Sequence, residues 1–437
     1  MDQCLHVGEK IFKLKIIILY YNNHSFPLIQ TNRDMLYCFE NYTNAHCYYV
    51  NIAYKYSSKL LAVNYDLIVY HDLLLCKRSS LKRFQRIRKK TKEFKNLKGY
   101  KIALVQDEFM RTIVLNEYLK EQKVKLIFST ASEKDRKMIY KSLDKNKVRF
   151  KRFLTGYVDE IALEEIKKLN DEDINKTVDV GYRASYDNNY TLGSHGLMKG
   201  EIANQFIKYK NKNTLNIDVS TKEADTKRGI EWYRFLLKSK YTLGVESGSS
   251  LLDEDGSIEL CVVKELRKNS KAIYKEVEEK CFKGLDGNIN LFAIGPRHFE
   301  AIMAKTCQVL VEGEYNGILK PWRHYIPLKK DFSNIDDVFK IIIKDDLRKE
   351  ITETAFEEII KSKKFTYNNF IKDVFDSCNL KETGFDLTNQ EKEIHFIQKK
   401  IEIKNMNTIK LKAIFYKKTI SFIPSYFQSI ISIFFKN

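Results

Sequence analysis

The chain reads as an α/β protein built from two tandem Rossmann-like, doubly wound domains with a C-terminal amphipathic tail. Three observations predict this. Short, continuously apolar runs alternate with helix-length segments in both halves, as parallel βαβ units require. A polar stretch, LNDEDINKT, interrupts that alternation. The composition, 43% hydrophobic with 5 Pro and 17 Gly in 437 residues, suits compact domains rather than disorder, and the length allows two or three of them.

In the first half the apolar runs are Lys15 to Tyr20 (KIIILY), Leu67 to Tyr70 within YDLIVYHD, Lys101 to Gln106 (KIALVQ) and Leu126 to Ser129 (LIFS). Between the second and third lie residues 77–101, dominated by Lys and Arg, which read as a solvated basic helix or loop, or as a contact for an acceptor or membrane. These runs define an N-terminal domain over residues 1–153, followed by an interdomain passage over 154–180. A second set follows: Val178 to Tyr182, a helix through Leu197 to Tyr209, Thr214 to Asp218, a helix around Ile230 to Lys238, and Tyr241 to Val245. Gly295 to Asp331 then supplies a helix start, a helix, a short apolar strand over Gln308 to Val311 and a polar strand end with Glu312 and Glu314. Proline suits the first helical turn, so Pro296 marks its start. Ser333 with Asp336 forms a capping pattern for a helix over Ile335 to Ile342. The second domain therefore spans 181–345, with crossover helices over 346–375 and a mixed-charge segment of little periodicity plus the tail over 376–437. The site is expected where the two domains meet, at strand carboxyl ends.

The formal net charge of +19 favours an anionic partner such as phosphorylated substrates, an acidic membrane surface or nucleic acid. No helix-turn-helix, zinc or RNP-type signature accompanies it, so nucleic acid is not the expected partner. The 8 Cys include no CxxC pair and no zinc spacing; Cys47, Cys76, Cys261 and Cys307, in apolar surroundings, read as buried thiols of a reducing cytoplasm. The start, MDQCLHVGEKIF, lacks the features of a signal peptide. From Thr419 to Phe435 the tail carries 17 uncharged residues between flanking lysines. Pro424, Gln428 and four serines argue against a spanning helix, and an interfacial anchor on anionic lipid fits better. The expected location is cytoplasmic, peripheral on the inner face of the cell membrane.

Four segments come in a telling order: Val180-Gly181-Tyr182-Arg183, Leu243-Gly244-Val245-Glu246-Ser247-Gly248, Asp255-Gly256-Ser257-Ile258-Glu259, and Gly295 to Asp331 with its "FEA" and "HYIPL" stretches. Over residues 154–340 the chain resembles the nucleotide-sugar half of retaining glycosyltransferases with the GT-B fold, more closely a bacterial polysaccharide and lipopolysaccharide branch. The resemblance implies transfer of a sugar from a nucleotide-activated donor to a surface glycan or lipid-linked acceptor, with retention and with neither a metal nor another cofactor. In that family a Glu-x7-Glu pair touches the donor. Glu300 takes the second place, Phe292 stands at the first, and Glu246, ending a preceding strand, is the expected substitute. The resemblance also gives Arg183 and Lys199 the role of stabilising the departing diphosphate.

The residues add their own chemistry. Arg297, in the first turn of the Glu300 helix, is placed to pair with phosphate while Glu300 accepts sugar or ribose hydroxyls. Ser247 and Gly248 follow a strand and bring backbone N–H groups toward phosphate oxygens. Candidate acid/base groups stand at strand ends: His71 and Asp72, then Asp107 and Glu108. Asp253-Glu254-Asp255 imitates a metal-binding DxD motif but reads as a turn into a helix. Two competing readings are a basic nucleic-acid-binding protein and a catalytically silent glycan-binding paralogue.

Overall fold

The computed structural model describes residues 14–23, 28–172, 174–184, 190–209, 214–380 and 387–421, with side chains as far as residue 414. Among these residues two parallel sheets carry the fold. The first uses β1 (Lys15–Tyr20), β2 (His46–Asn51), β3 (Leu67–Tyr70), β4 (Tyr100–Val105), β5 (Leu126–Ser129) and β6 (Arg149–Arg152) in the order β2-β1-β3-β4-β5-β6. Its crossovers are α1 (Gln30–Tyr42), α2 (Asp72–Leu75) with α3 (Leu81–Lys90), α4 (Thr112–Glu121) and α5 (Glu133–Ile139). Strands covered on both faces need apolar side chains in both directions, which is why KIIILY and LIVY lack alternation. Ile16 to Leu19 and Leu67 to Tyr70 are fully buried, in register as Ile17 opposite Ile68.

After α6 (Glu160–Asn170) the second sheet is built from β7 (Val178–Arg183), α7 (Met198–Tyr209), β8 (Ile217–Ser220), α8 (Ile230–Lys238) and β9 (Ser239–Gly244). A short antiparallel ribbon of β10 (Ser247–Ser249) and β11 (Leu291–Ala293) brackets α9 (Ser257–Lys268) and α10 (Tyr274–Cys281). The sheet is completed by α11 (Pro296–Met303), β12 (Cys307–Val311) and β13 (Ile326–Leu328), in the order β13-β12-β9-β7-β8. Helices α12 (Ile335–Lys344), α13 (Arg348–Ala355), α14 (Tyr367–Ser377) and α15 (Asn389–Ser421) follow. Both sheets begin with the order 2-1-3-4-5 in their own numbering, so the chain reverses its winding direction beside the first strand of each. Such reversals open a crevice at the strand carboxyl ends, here between β1 and β3 and between β7 and β9.

By compactness the chain divides into residues 1–103 with 381–437 and residues 104–380. In the first unit α15 covers the free edge of β2 with side chains spaced by three and four. His395 Nε2–H donates to the Cys47 carbonyl at 3.1 Å, Gln398 Nε2 donates to the Tyr49 carbonyl at 2.8 Å, and the Asn51 N–H donates to Glu402 at 3.0 Å. Tyr20 adds its hydroxyl to the same Glu402 at 2.7 Å. Three outward backbone groups of an edge strand are thereby satisfied by one helix face.

Three features differ from the sequence reading. The mixed-charge segment is largely the 33-residue α15, whose regularity is supported by tertiary hydrogen bonds rather than by an apolar repeat. Asn334 stands at the N-cap of α12, with no side-chain cap, because its amide turns back to accept from the Lys329 N–H at 2.9 Å. Cys261 is not a buried thiol. Helices α9 and α10 bring it to Cys281 at a Cα separation of 5.5 Å, and the two form a disulfide. Among the described residues no helix is long and apolar enough to cross a membrane. Residues 422–437, most of the expected anchor, lie outside the described residues.

Candidate functional site

In the second unit the strand carboxyl ends gather cations. Arg183 closes β7, and its neighbour β8 carries Asp218 across the ladder. The Arg183 guanidinium donates to both Asp218 carboxylate oxygens at 2.7 and 2.8 Å, to the Asp218 and Tyr182 carbonyls, and through Nε to the Asp225 carbonyl. Each of its nitrogens is thus engaged within the protein. Arg183 fastens two strand ends and the loop after β8, and its own carbonyl accepts from Arg297 Nη1.

Helix α11 starts at Pro296, whose missing N–H costs nothing in a first turn. Its buried side supplies Phe299, Ile302 and Met303 to the core, while Arg297 on the opposite side is exposed. Helix α8 supplies two stacked rings, Trp232 and Phe235, with centroids 5.8 Å apart. Arg297 lies over Trp232 at 5.0 Å and Arg183 over Phe235 at 4.4 Å, so each ring carries a guanidinium over its face. Glu300 lies on the buried side of this stack and accepts from Trp232 Nε1 at 2.6 Å. Burial raises its pKa, against the opposing pull of the Trp232 N–H and of Arg297.

Lys199, in the first turn of α7, is half-buried and makes no hydrogen bond or ion pair among the described residues. Burial lowers its pKa; the positive charge of Arg297 lowers it further, and Asp107 acts the other way. Lys199 and Arg297 therefore feel each other's charge without a carboxylate clamped between them. Asp107, exposed just after β4, adopts φ 51°, a left-handed conformation that Asp tolerates better than most residues.

The remaining expected residues hold the scaffold. Glu246 accepts from the Tyr315 N–H at 2.7 Å and the Glu314 N–H at 3.3 Å, pinning the loop after β12; burial raises its pKa and these N–H groups oppose the rise. Ser247 and Gly248 enter β10, where Gly248 at φ 126° faces Phe292 of β11. A Cβ on Gly248 would lie 1.8 Å from the Leu291 carbonyl oxygen, so only glycine fits. Glu108 is completely buried, and five donors fill its carboxylate: Ser129 Oγ, the Thr130 N–H and Oγ1, the Ala131 N–H, and the Tyr140 hydroxyl. In the first unit His71 stands at the reversal point beside β3, as the N-cap of α2. Its Nδ1 accepts from the Leu73 N–H at 3.0 Å, and burial lowers its pKa to about 4, so it is neutral with the proton on Nε2. Asp72, beside it, opens α2.

Asp253, first of the DxD-like triplet, accepts from the backbone N–H groups of Gly256, Ile258 and Glu259 at the start of α9. Among the described residues no group of three His, Cys, Asp or Glu side chains is arranged around a common point for a metal ion.

Sequence reasoning missed His195 and Trp232. The His195 ring stacks on Phe292 with centroids 4.0 Å apart, its Nε2–H donates to the Glu246 carbonyl at 3.0 Å, and burial lowers its pKa to about 4. Phe292 thus occupies the first Glu position of the family pattern with an aromatic face. Nothing local in TLGSHGLM or IEWYRF signals these contacts, which arise only when β11 and α8 are packed.

No family model matches the chain, and no curated protein matches it. Among solved structures the chain is similar to HepE of Anabaena in complex with UDP, at 11% identity over 83% of this chain and 100% of that one, with a TM-score of 0.44. It is similar to BGT of T4 phage in complex with its UDP-glucose substrate, at 16% identity over 84% of this chain and 99% of that one, with a TM-score of 0.46. A glycosyltransferase from Rickettsia africae is similar at 11% identity, 84% and 98% coverage and a TM-score of 0.44. Identities of this order do not transfer a function.

Proposed function

We propose that the chain is a glycosyltransferase that moves a sugar from a nucleoside diphosphate to a surface glycan or lipid-linked acceptor at a membrane. The observation that carries this is the pair Lys199 and Arg297, two cations beside the reversal point of the second sheet with no carboxylate clamped between them. Two phosphates placed there would restore charge balance. Arg297 is held by the Arg183 carbonyl and the Trp232 ring before charge develops on the leaving diphosphate, which is the condition for electrostatic catalysis.

Within this reading Arg183 acts indirectly, by holding β7, β8 and, through its carbonyl, Arg297. Glu300 fixes Trp232 under Arg297 and keeps an oxygen for a sugar or ribose hydroxyl. Asp107 orients the acceptor hydroxyl. No side chain is assigned as a covalent nucleophile; with retention, the acceptor proton passes to the departing phosphate oxygen. A catalytically silent binding protein is the second reading, favoured by Phe292 in place of the first carboxylate.

The test is calorimetric titration of the purified protein with UDP, GDP, CDP and ADP, then turnover with sugar derivatives of the nucleotide that binds. Saturable binding with turnover supports the enzyme. Binding without donor hydrolysis or transfer supports the silent reading, and no binding of any nucleotide overturns both.

A further inference from the structure

Helix α15 has a second face. At about 100° per residue, Phe396, Ile403 and Ile414 fall within about 20° of one line and Leu411 about 60° from it. These residues are 57%, 55%, 43% and 68% exposed, a stripe about 27 Å long. Ile394, Gln398, Asn405 and Ile409 are buried on the opposite side. Isolated exposed hydrophobic residues need no explanation, but an aligned row on one helix does.

Charge along α15 is mostly basic on this face. Glu391 pairs with Lys15 and Glu402 takes Tyr20 and Asn51 on the protein side, while Glu393, exposed beside the row, is paired with Lys59. Lys399, Lys400, Lys404 and Lys410 are exposed and border the apolar row. The Lys400 ammonium lies over the Phe396 ring, 4.2 Å from its centroid, as a cation–π contact at the border of the row. At the far end Lys412 donates to the Tyr54 hydroxyl. Around Tyr21 its charge meets those of Arg83 and Arg86, from the basic α3 region. Lys412 and the α3 arginines thus meet on the protein-facing side of α15, away from the apolar row.

We infer that this surface, the apolar row of α15 with its bordering lysines Lys399, Lys400, Lys404 and Lys410, docks on an anionic lipid bilayer. The apolar row selects a bilayer over a nucleic acid, since a phosphate backbone offers nothing to bury Ile403, Leu411 and Ile414 against, whereas the headgroup boundary does. The chain that continues from α15, residues 422–437, is uncharged and rich in Ile and Phe until Lys436, so it prolongs the same character. The inference extends the membrane location proposed above and is independent of the glycosyl transfer chemistry.

The experiment is vesicle cosedimentation of the full chain with phosphatidylcholine alone or mixed with phosphatidylglycerol. Wild type should bind the mixed vesicles and hardly bind the neutral ones. Replacing Lys399, Lys400, Lys404 and Lys410 by Gln should lower affinity for mixed vesicles on the order of 10²-fold or more. Changing Phe396, Ile403, Leu411 and Ile414 to Ser should lower it by at least about tenfold while leaving helical circular dichroism and Tm unchanged. All eight sites are exposed, so both variants should fold. If the serine variant binds mixed vesicles as wild type does, or if wild type shows no preference for them, the inference fails. Tight nucleic-acid binding indifferent to the serine changes, with no vesicle binding, would also overturn it. None of these outcomes depends on whether a nucleotide binds.

Discussion

Replacing Arg297 by alanine removes an exposed guanidinium from a site whose other cation, Lys199, makes no hydrogen bond among the described residues. In the free protein Arg297 contributes its contact with Trp232 at 5.0 Å and one hydrogen bond to the Arg183 carbonyl. An exposed cation over an aromatic face is worth about 0.5–1 kcal/mol, so the loss in folding stability should be of that order. Binding should suffer more. Hydrogen bonds to charged groups are worth about 1.5–3 kcal/mol, which converts to a roughly 10- to 150-fold weaker Kd for the nucleoside diphosphate. Calorimetry on wild type and Arg297→Ala reads the ratio, and thermal unfolding shows whether the variant is folded. An unchanged Kd in a folded variant would refute the assignment of this end of α11 to phosphate.

Three further outcomes are expected. Burial and Arg297 lower the pKa of Lys199, and a bound diphosphate would raise it again; nucleotide affinity should therefore decline as pH rises through the lowered value, and Lys199→Met should abolish that decline. A flat affinity profile for wild type would contradict it. The buried carboxyl of Glu300 has a raised pKa, so its stabilising contribution is complete below the ordinary Glu pKa and is lost as pH rises through the folded-state value. Glu300→Gln keeps an acceptor for Trp232 and removes the titration, so its Tm should gain on wild type from acid toward neutral pH; parallel Tm curves would count against this. Glu108→Ala leaves the buried N–H groups of Thr130 and Ala131 without their acceptor and should cost about 2–5 kcal/mol in urea unfolding, with little effect on nucleotide binding by the folded fraction. A loss of nucleotide binding without loss of stability would return Glu108 to the site.

Legibility in the sequence followed burial. β1, β3 and β5 are continuous apolar runs because neighbours cover both faces, and their bounds match the runs KIIILY, LIVY and LIFS. The edge strands β2 and β6 were not foreseen. RFKR at β6 is mostly exposed and carries no apolar signal, while HCYYVN at β2 is closed by a helix hundreds of residues away. The turn of Pro296 and the placement of Arg297 on α11 were readable from local rules of helix initiation. The commitment of Arg183 to Asp218 was not, because it depends on the pairing of β7 with β8 rather than on anything near residue 183. His195 and Trp232 were hidden for the same reason.

The cover on β2 also sets an order of events during synthesis. Gln398 trails its partner Tyr49 by 349 residues. At about 5–20 residues per second, the strand waits roughly 20–70 s on the ribosome before the helix that closes it emerges. Residues 104–380 emerge within that interval and form a continuous unit, whereas the first unit needs both ends of the described chain. A nascent chain arrested before α15 should therefore present β2 as an open pairing template, and the N-terminal unit should be the last to become resistant to protease although its strands are the first to be made.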